Sequence, residues 1–459
     1  MAEDAPKLDA IRPCLEGAIP GVMCTCAPDG TPNVTYISQV EYVDAGHLAL
    51  SFQFFNKTRR NVLANPFAEL MVIHPGHGAM FRIAARYLRT ETEGALFERM
   101  KAKLAGIASH TGMSGVFKLR GSDVYAVERV EQVVAPARVE PRGELNRLSA
   151  LRRASQRVAG SADLDALFER TLDVVVDEFA IRHAMLLMLD AAGERLYTVA
   201  SRGYGRSGAG SEIPVGEGVV GVAARMATPI RINHATLEYA YSRTMREGLA
   251  GHMLEREIPF PGLAEPGSQL AVPLVCGGQL LGVLFVESPH DMRFSWDDED
   301  ALLALATQVA AQLTVFARVA QAGADAADDD APVVAAVREG ADGSPAAVPA
   351  QAALRVRHYD HDDSVFLDDD YLIKGVAGSV LWKLLRDHAE HGRTEFTNRE
   401  LRLSPDIRLP EVGDNLEARL VLLTRRLVDR QACVRLEKTG RGRFRLCVTR
   451  PLQLLNVPR

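Results

Sequence analysis

Short runs of alternating apolar and polar residues fill roughly the first 135 positions, the period of half-buried strands. The runs Val22–Cys26 and Val34–Val43 flank the turn signal Pro28-Asp29-Gly30 and predict a hairpin. Further strands are predicted at His47–Phe54, Ala68–His74, Phe81–Thr90 and Ser122–Val130, with a helix over Glu93–Ala105. Short antiparallel strands of this kind close into a small barrel, here over residues 10–135.

The period then changes. A helical run, Glu144–Val158, opens a mixed region over 143–319. In the next helix, Leu164–Phe179, Leu164, Leu167, Leu172 and Val175 recur at the helical spacing. Strands follow at Ala184–Leu189 and Leu196–Ala200, and a hairpin joins Gln269–Leu274 to Gln279–Val286 around Cys276-Gly277-Gly278. A long helix starts at Ser295, with Asp298 three residues on as its capping partner. Its stripe of Leu302, Ala306, Val309, Leu313, Phe316 and Ala320 packs either on its own sheet or on a twin across a homodimer. Residues 321–353 are rich in Ala, Asp, Gly and Pro without an aromatic residue, the composition of a flexible tether.

Residues 354–450 form a third pattern. A hairpin over Ser364–Tyr371 turns at Asp368-Asp369-Asp370, and Val376–His388 is an amphipathic helix. A second helix is capped by Thr397 with Glu400, and a loop containing Pro405 and Pro410 follows. Asp414 caps a third helix, Asn415–Arg430, whose core stripe is Leu416, Leu420, Leu423 and Leu427. Asn415, Arg419, Arg425, Arg426 and Arg430 lie off that stripe. A hairpin over Val434–Val448 carries Lys438, Arg441 and Arg443 at its tip.

Charge sharpens this picture. The formal net charge is -6, so the chain as a whole repels polyanions. Residues 414–445 nonetheless hold nine Lys/Arg against four Asp/Glu, a local charge of +5. That is a phosphate-seeking face, and double-stranded DNA is the partner it predicts. Six scattered cysteines make neither a disulfide framework nor a zinc site, and Cys24 and Cys26 are read as buried structural thiols. The start MAEDAPKLDA lacks the form of a signal peptide, and no run of 18 apolar residues exists, so a cytoplasmic protein without a membrane span is expected. No Ser/His/Asp grouping, phosphate loop or acidic pair at catalytic spacing stands out, so no catalytic residue and no metal is assigned.

Three resemblances give these regions names. The run Phe55-Asn56-Lys57-Thr58-Arg59-Arg60-Asn61-Val62-Leu63-Ala64-Asn65-Pro66 resembles the pyridoxamine 5'-phosphate oxidase-like split barrels. In that family such a basic segment grips the FMN phosphate, which implies Lys57, Thr58, Arg59 and Arg60 as cofactor residues. Thr58 stands here where the family often has Lys. His74 and His77, beside Pro75-Gly76, are read as loop imidazoles.

The runs Ile213 to Gly221, Ala271 to Leu274 and Leu281 to Glu287 resemble a GAF domain, an α/β/α sandwich that binds small-molecule effectors. Phe294, Asp298 and Glu299 match half of a cyclic-nucleotide motif. The two acids are equally explained by the first turn of a helix. The irregular segment Asn233–Pro261 is either a solvated loop or a pocket wall with ligand contacts at Tyr239, Tyr241, Arg243 and His252.

The C-terminal run resembles the winged helix-turn-helix of OmpR-type regulators, carried by Leu423-Thr424-Arg425-Arg426-Leu427 and by Gly440 to Leu446. Leu422 falls where that family usually has a groove-facing polar residue. The expected protein is therefore a multidomain α+β chain: an N-terminal antiparallel split β-barrel, a central GAF sandwich and a C-terminal winged helix. It would act as a one-component sensory transcription regulator and homodimer. The alternative is a flavin-dependent oxidoreductase with regulatory C-terminal domains.

Overall fold

The computed structural model describes residues 7–15, 19–37, 39–53, 57–110, 118–136, 145–190, 192–233, 258, 260–325, 353–407, 416–440 and 442–458. After a 3₁₀ turn at Leu8–Leu15 come β1 (Gly21–Cys26), β2 (Pro32–Ile37), β3 (Val40–Asp44), β4 (His47–Phe52), α1 (Lys57–Ala64), β5 (Phe67–Ile73), β6 (Met80–Glu91), α2 (Ala95–His110) and β7 (Gly121–Val134). The strands form one barrel-like antiparallel sheet of order β2-β1-β5-β6-β7-β4-β3. Its core holds Met23, Leu48, Leu50, Leu70, Val72, Ile83 and Tyr125.

Two expectations change here. The single strand predicted over Val34–Val43 is two, because β2 and β3 lie at opposite edges of the sheet and the chain must cross between them. Cys24 and Cys26 do share a face, but the wrong one for burial. Met23 and Thr25 take the inner positions of β1, leaving Cys24 exposed and Cys26 half-buried.

The central region comprises α3 (Arg147–Ala159), α4 (Leu164–Phe179), β8 (His183–Leu189), β9 (Arg195–Arg202), β10 (Glu212–Pro214), α5 (Gly218–Met226), β11 (Ile230–Ile232), β12 (Ser268–Cys276), β13 (Gln279–Ser288) and α6 (Trp296–Asp325). The sheet order is β10-β9-β8-β13-β12-β11. Leu186, Val272 and Leu284 share a core with Phe168, Leu302 and Val309 from the helices α4 and α6. Met185, Leu187, Val283 and Phe285 share another with Val219, Val222 and Ala223 of α5. Each such buried side chain contributes roughly 1.5–3 kcal/mol. Entry into α5 needs a bare backbone at Gly221, where a Cβ would lie 2.3 Å from the Pro214 carbonyl oxygen.

The stripe Leu302, Ala306, Val309 and Leu313 faces this domain's own sheet, so it is not available to a twin helix. Trp296–Val319 is long and apolar enough to cross a membrane by composition, and much of that apolar side is spent on the same core. Helix α2 of the barrel packs along α5 and β11, where Gly106 permits the approach: a Cβ there would lie 2.3 Å from Ile230 Cγ2.

The C-terminal region runs β14 (Leu354–Tyr359), β15 (Ser364–Leu367), β16 (Asp370–Ile373), α7 (Gly375–His391), β17 (Glu395–Thr397), α8 (Asn398–Leu403), α9 (Leu416–Asp429), β18 (Val434–Gly440), β19 (Arg443–Val448) and β20 (Leu452–Val457). Two small sheets, β16-β15-β14-β20 and β17-β19-β18, enclose the three helices. Strand β20 pairs parallel with β14 and carries the fold past residue 450. Leu422, expected on the outer face of α9, is buried with Leu423 and Leu427.

The α6 cap shows how firmly polar groups hold these elements. The Ser295 N–H donates to Asp298 Oδ2 at 2.9 Å, and the Asp298 N–H returns to Ser295 Oγ at 3.3 Å. Asp298 is fully buried and also pairs with Arg147 at 2.8 Å and Arg293 at 3.6 Å. Burial alone would raise its pKa, but these donors and cations hold it below its ordinary 3.8. Asp298→Ala is expected to cost about 1–3 kcal/mol through loss of the α6 cap and of the charged hydrogen bonds to Arg147, read as a lower denaturant midpoint. In the unsubstituted chain, the depressed pKa makes this contribution full above the ordinary value and lost as pH falls through the lowered one. A variant whose stability loss stays constant across that range contradicts the assignment.

Candidate functional site

The barrel holds a cavity of about 330 Å³, lined by Met23, Leu50, Val62 and Tyr125 together with Thr58, Arg59 and Asp123. Arg59 reaches into it from the first turn of α1. Its guanidinium pairs with Asp123 of β7, donates to Thr90 Oγ1 at 2.8 Å and lies 4.5 Å over the Phe52 ring. Thr90 Oγ1 in turn donates to Asp123 at 2.6 Å. Thr58 is buried and accepts from Asn33 Nδ2 at 2.8 Å. Lys57 and Arg60 are exposed, and neither lines the cavity.

The four residues expected to grip a phosphate therefore do not converge. The cavity's cation is already matched by a carboxylate that the sequence reading missed. Its signal was a charged residue inside the otherwise apolar strand run Asp123-Val124-Tyr125-Ala126-Val127.

Nearby, His74 and His77 stack at 3.6 Å between ring centroids. Their Nδ1 atoms accept from the N–H groups of Gly76 and Ala79, at 3.1 and 3.3 Å. Burial and the neighbouring ring lower the His74 pKa to about 4, so His74 is neutral at pH 7. Among the described residues no cluster of three or more metal-ligating side chains exists.

On the α5 side of the central sheet, Glu287 is buried. It accepts from Gln269 Nε2 at 2.7 Å, from the Tyr204 hydroxyl at 2.9 Å and from the Leu263 N–H at 3.1 Å. Burial pushes its carboxyl pKa up despite these donors. The His183 ring lies 5.4 Å from that of Tyr204. This acidic floor was visible only as a Glu closing the apolar run of β13. The expected contacts Tyr239, Tyr241, Arg243 and His252 lie outside the described residues.

The half-motif acids serve the fold. Asp298 caps α6, and Glu299 pairs with Arg231 at 2.8 Å.

The basic face at the C-terminus divides. Arg426 is 5% exposed and donates to the Leu372 carbonyl oxygen of β16 from Nε at 3.1 Å and from Nη2 at 3.0 Å. Burial lowers its pKa. It anchors α9 to the sheet and cannot face a groove, because Leu422, Leu423 and Leu427 rotate that side of the helix inward. Arg430 reaches the Tyr371 carbonyl oxygen at 3.3 Å.

Arg425 and Arg419 point at the central domain instead of solvent. Arg425 pairs with Asp165 and Glu169 of α4, each at 2.7 Å, and Arg419 lies 3.9 Å over the Tyr197 ring. On the hairpin, Lys438 pairs with Asp163 at 2.6 Å and Arg443 is exposed. Asn415 and Arg441 lie outside the described residues.

Comparison with known families fits the first two regions. A family profile described as pyridoxamine 5'-phosphate oxidase matches residues 8–128, and one described as GAF domain matches residues 161–314. The chain joins a pyridoxamine 5'-phosphate oxidase-like domain to a GAF domain. Residues beyond 314 fall outside both matches.

Similar solved structures include the GAF domain of an Acinetobacter phosphoenolpyruvate-protein phosphotransferase, at 23% identity and TM-score 0.30 over 37% of this chain and 92% of that one. A free methionine-R-sulfoxide reductase from Neisseria meningitidis, in complex with its substrate, gives 19% identity and TM-score 0.31 over 40% and 98%. An FMN-binding protein from Syntrophomonas wolfei gives 18% and 0.24 over 28% and 86%. No curated protein matches the chain.

Proposed function

We propose that this chain is a one-component regulator, in which the barrel and GAF domains sense a small molecule and the C-terminal region binds double-stranded DNA as a winged helix. The supporting observation is the arrangement of that region: three helices between two small sheets, with the β18–β19 hairpin standing beside α9. In such a fold α9 enters the major groove and the hairpin reaches the flanking phosphates. Arg419, Arg425, Arg430, Lys438 and Arg443 supply the positive charge, and Arg426 drops out of the set. The effector's place in the GAF domain is the floor made by Glu287, Gln269 and Tyr204. A buried carboxylate there selects a ligand that donates hydrogen bonds or carries positive charge.

The oxidoreductase alternative rests on the barrel cavity, where no phosphate grip is assembled among the described residues, and we do not favour it. FMN enters our proposal as a sensed ligand whose phosphate competes with Asp123 for Arg59. Asp123→Asn should then tighten FMN about tenfold, followed by quenching of flavin fluorescence; equal or weaker binding removes FMN from the scheme.

A homodimer belongs to the same reading. Leu148 of α3 and Val315 of α6 are exposed on the GAF domain's flanking helices. Leu148→Asp/Val315→Asp should halve the mass seen by sedimentation, and an unchanged mass would place the dimer contact elsewhere.

DNA binding is tested by fluorescence anisotropy with a random-sequence duplex. Phosphate contacts should make log K fall with log salt at about 0.9 per contact. Arg443→Ala should reduce that slope by about 1. If neither the full chain nor its opened form, described below, binds the duplex with any salt dependence, the DNA reading is wrong.

A further inference from the structure

The basic side of α9 and the hairpin is already occupied, by acids of the same chain. Helix α4 is capped by Asp163 and carries Asp165, Glu169 and Asp173 one turn apart on one face. Arg425 grips this face as it would a phosphodiester. Its Nη2 meets Asp165 Oδ1 and Glu169 Oε1, each at 2.7 Å, while Nη1 donates to the Val199 carbonyl oxygen of β9 at 2.7 Å. Lys438 meets Asp163 at 2.6 Å, and Lys374, at the start of α7, meets Glu212 of β10 at 3.1 Å. Ser207 hydrogen-bonds Asp429 at the last turn of α9. Within the GAF domain, Arg202 bridges Glu169 and Asp173 and steadies the acidic row against its own repulsion.

We infer that α4 of the GAF domain is an internal phosphate mimic that holds the C-terminal region off DNA until an effector moves α4 or β9. The inference rests on the DNA-binding reading above and names how that site is regulated. Two features support a releasable contact over a permanent one. The acids are surface groups, Asp165 at 59% and Glu169 at 40% side-chain exposure against 17% for Arg425, so competing ions reach the contact from the acid side. The cations it occupies are those a duplex would need, so the closed contact and DNA binding exclude each other.

The test uses the full chain carrying Asp165→Lys and Glu169→Lys, positions exposed enough to leave the GAF core folded. Closure is read separately from DNA binding, by the oxidative cross-link of Ser207→Cys with Asp429→Cys, mapped by mass spectrometry. In the unaltered background the cross-link should form, and the oxidised chain should bind a random duplex at least about tenfold more weakly than the reduced one. Charge reversal should slow the cross-link and tighten duplex binding by a similar factor. Adding Arg425→Glu, which swaps the charges, should restore the cross-link.

If charge reversal leaves both the cross-link rate and duplex affinity unchanged, the mimicry is overturned. If it abolishes the cross-link while the duplex remains unbound, the contact stands and the DNA reading beneath the inference falls.

Discussion

The central sheet is apolar on both faces, and that constraint organises the molecule. A sheet with Leu186 and Leu284 on one side and Leu187 and Phe285 on the other must be covered twice. The helices α3, α4 and α6 cover the first side, and α5 covers the second. Each cover then becomes a docking platform. The barrel's α2 lies along α5 and β11, and α9 lies along α4 and β9. The barrel and the C-terminal region therefore attach to opposite sides of one sandwich.

The two kinds of polar contact in these joints differ in strength. Asp298 is wholly buried and serves Arg147, Arg293 and the Ser295 cap, a network whose loss leaves the buried end of α6 without its acceptor. The contact between α9 and α4 keeps its acids open to solvent, where an exposed pair is worth roughly 0–1 kcal/mol, while its Arg425 is mostly buried and also donates to the Val199 carbonyl oxygen. Its sum is of the order of an allosteric coupling energy, about 1–3 kcal/mol. The first kind of contact defines a domain, and the second sets how often two domains part.

Much of the fold was legible because period and punctuation agreed. Helix Leu164–Phe179, the hairpin around Gly277-Gly278 and the Ser295 and Thr397 caps all stand where the pattern placed them. The sites were less legible, since alternation does not tell which face of a strand is inside. Cys24 and Cys26 were read correctly as sharing a face, yet that face points outward. Charge counting failed in the same way at Arg426 and Arg59. A cation in a basic run looks available until the fold supplies a Leu372 carbonyl or an Asp123 carboxylate. Those partners lie 54 and 64 residues away, beyond the reach of any local pattern.

The same long-range matching explains how an acidic chain can carry a face with a local charge of +5. Left uncovered, a face of that charge attracts anionic surfaces in general. Asp163, Asp165 and Glu169 match two cations of that face, Arg425 and Lys438, inside one chain. The cover and the face are thus a matched pair. The acids of α4 make no contribution to the GAF core, whose side of the helix is Leu167, Phe168, Leu172 and Val175. Their ion-pair partners are Arg425 and Lys438 on the C-terminal region and Arg202 of the GAF domain itself, so a shift of α4 would part the first two, while Lys374 is held by Glu212 of β10.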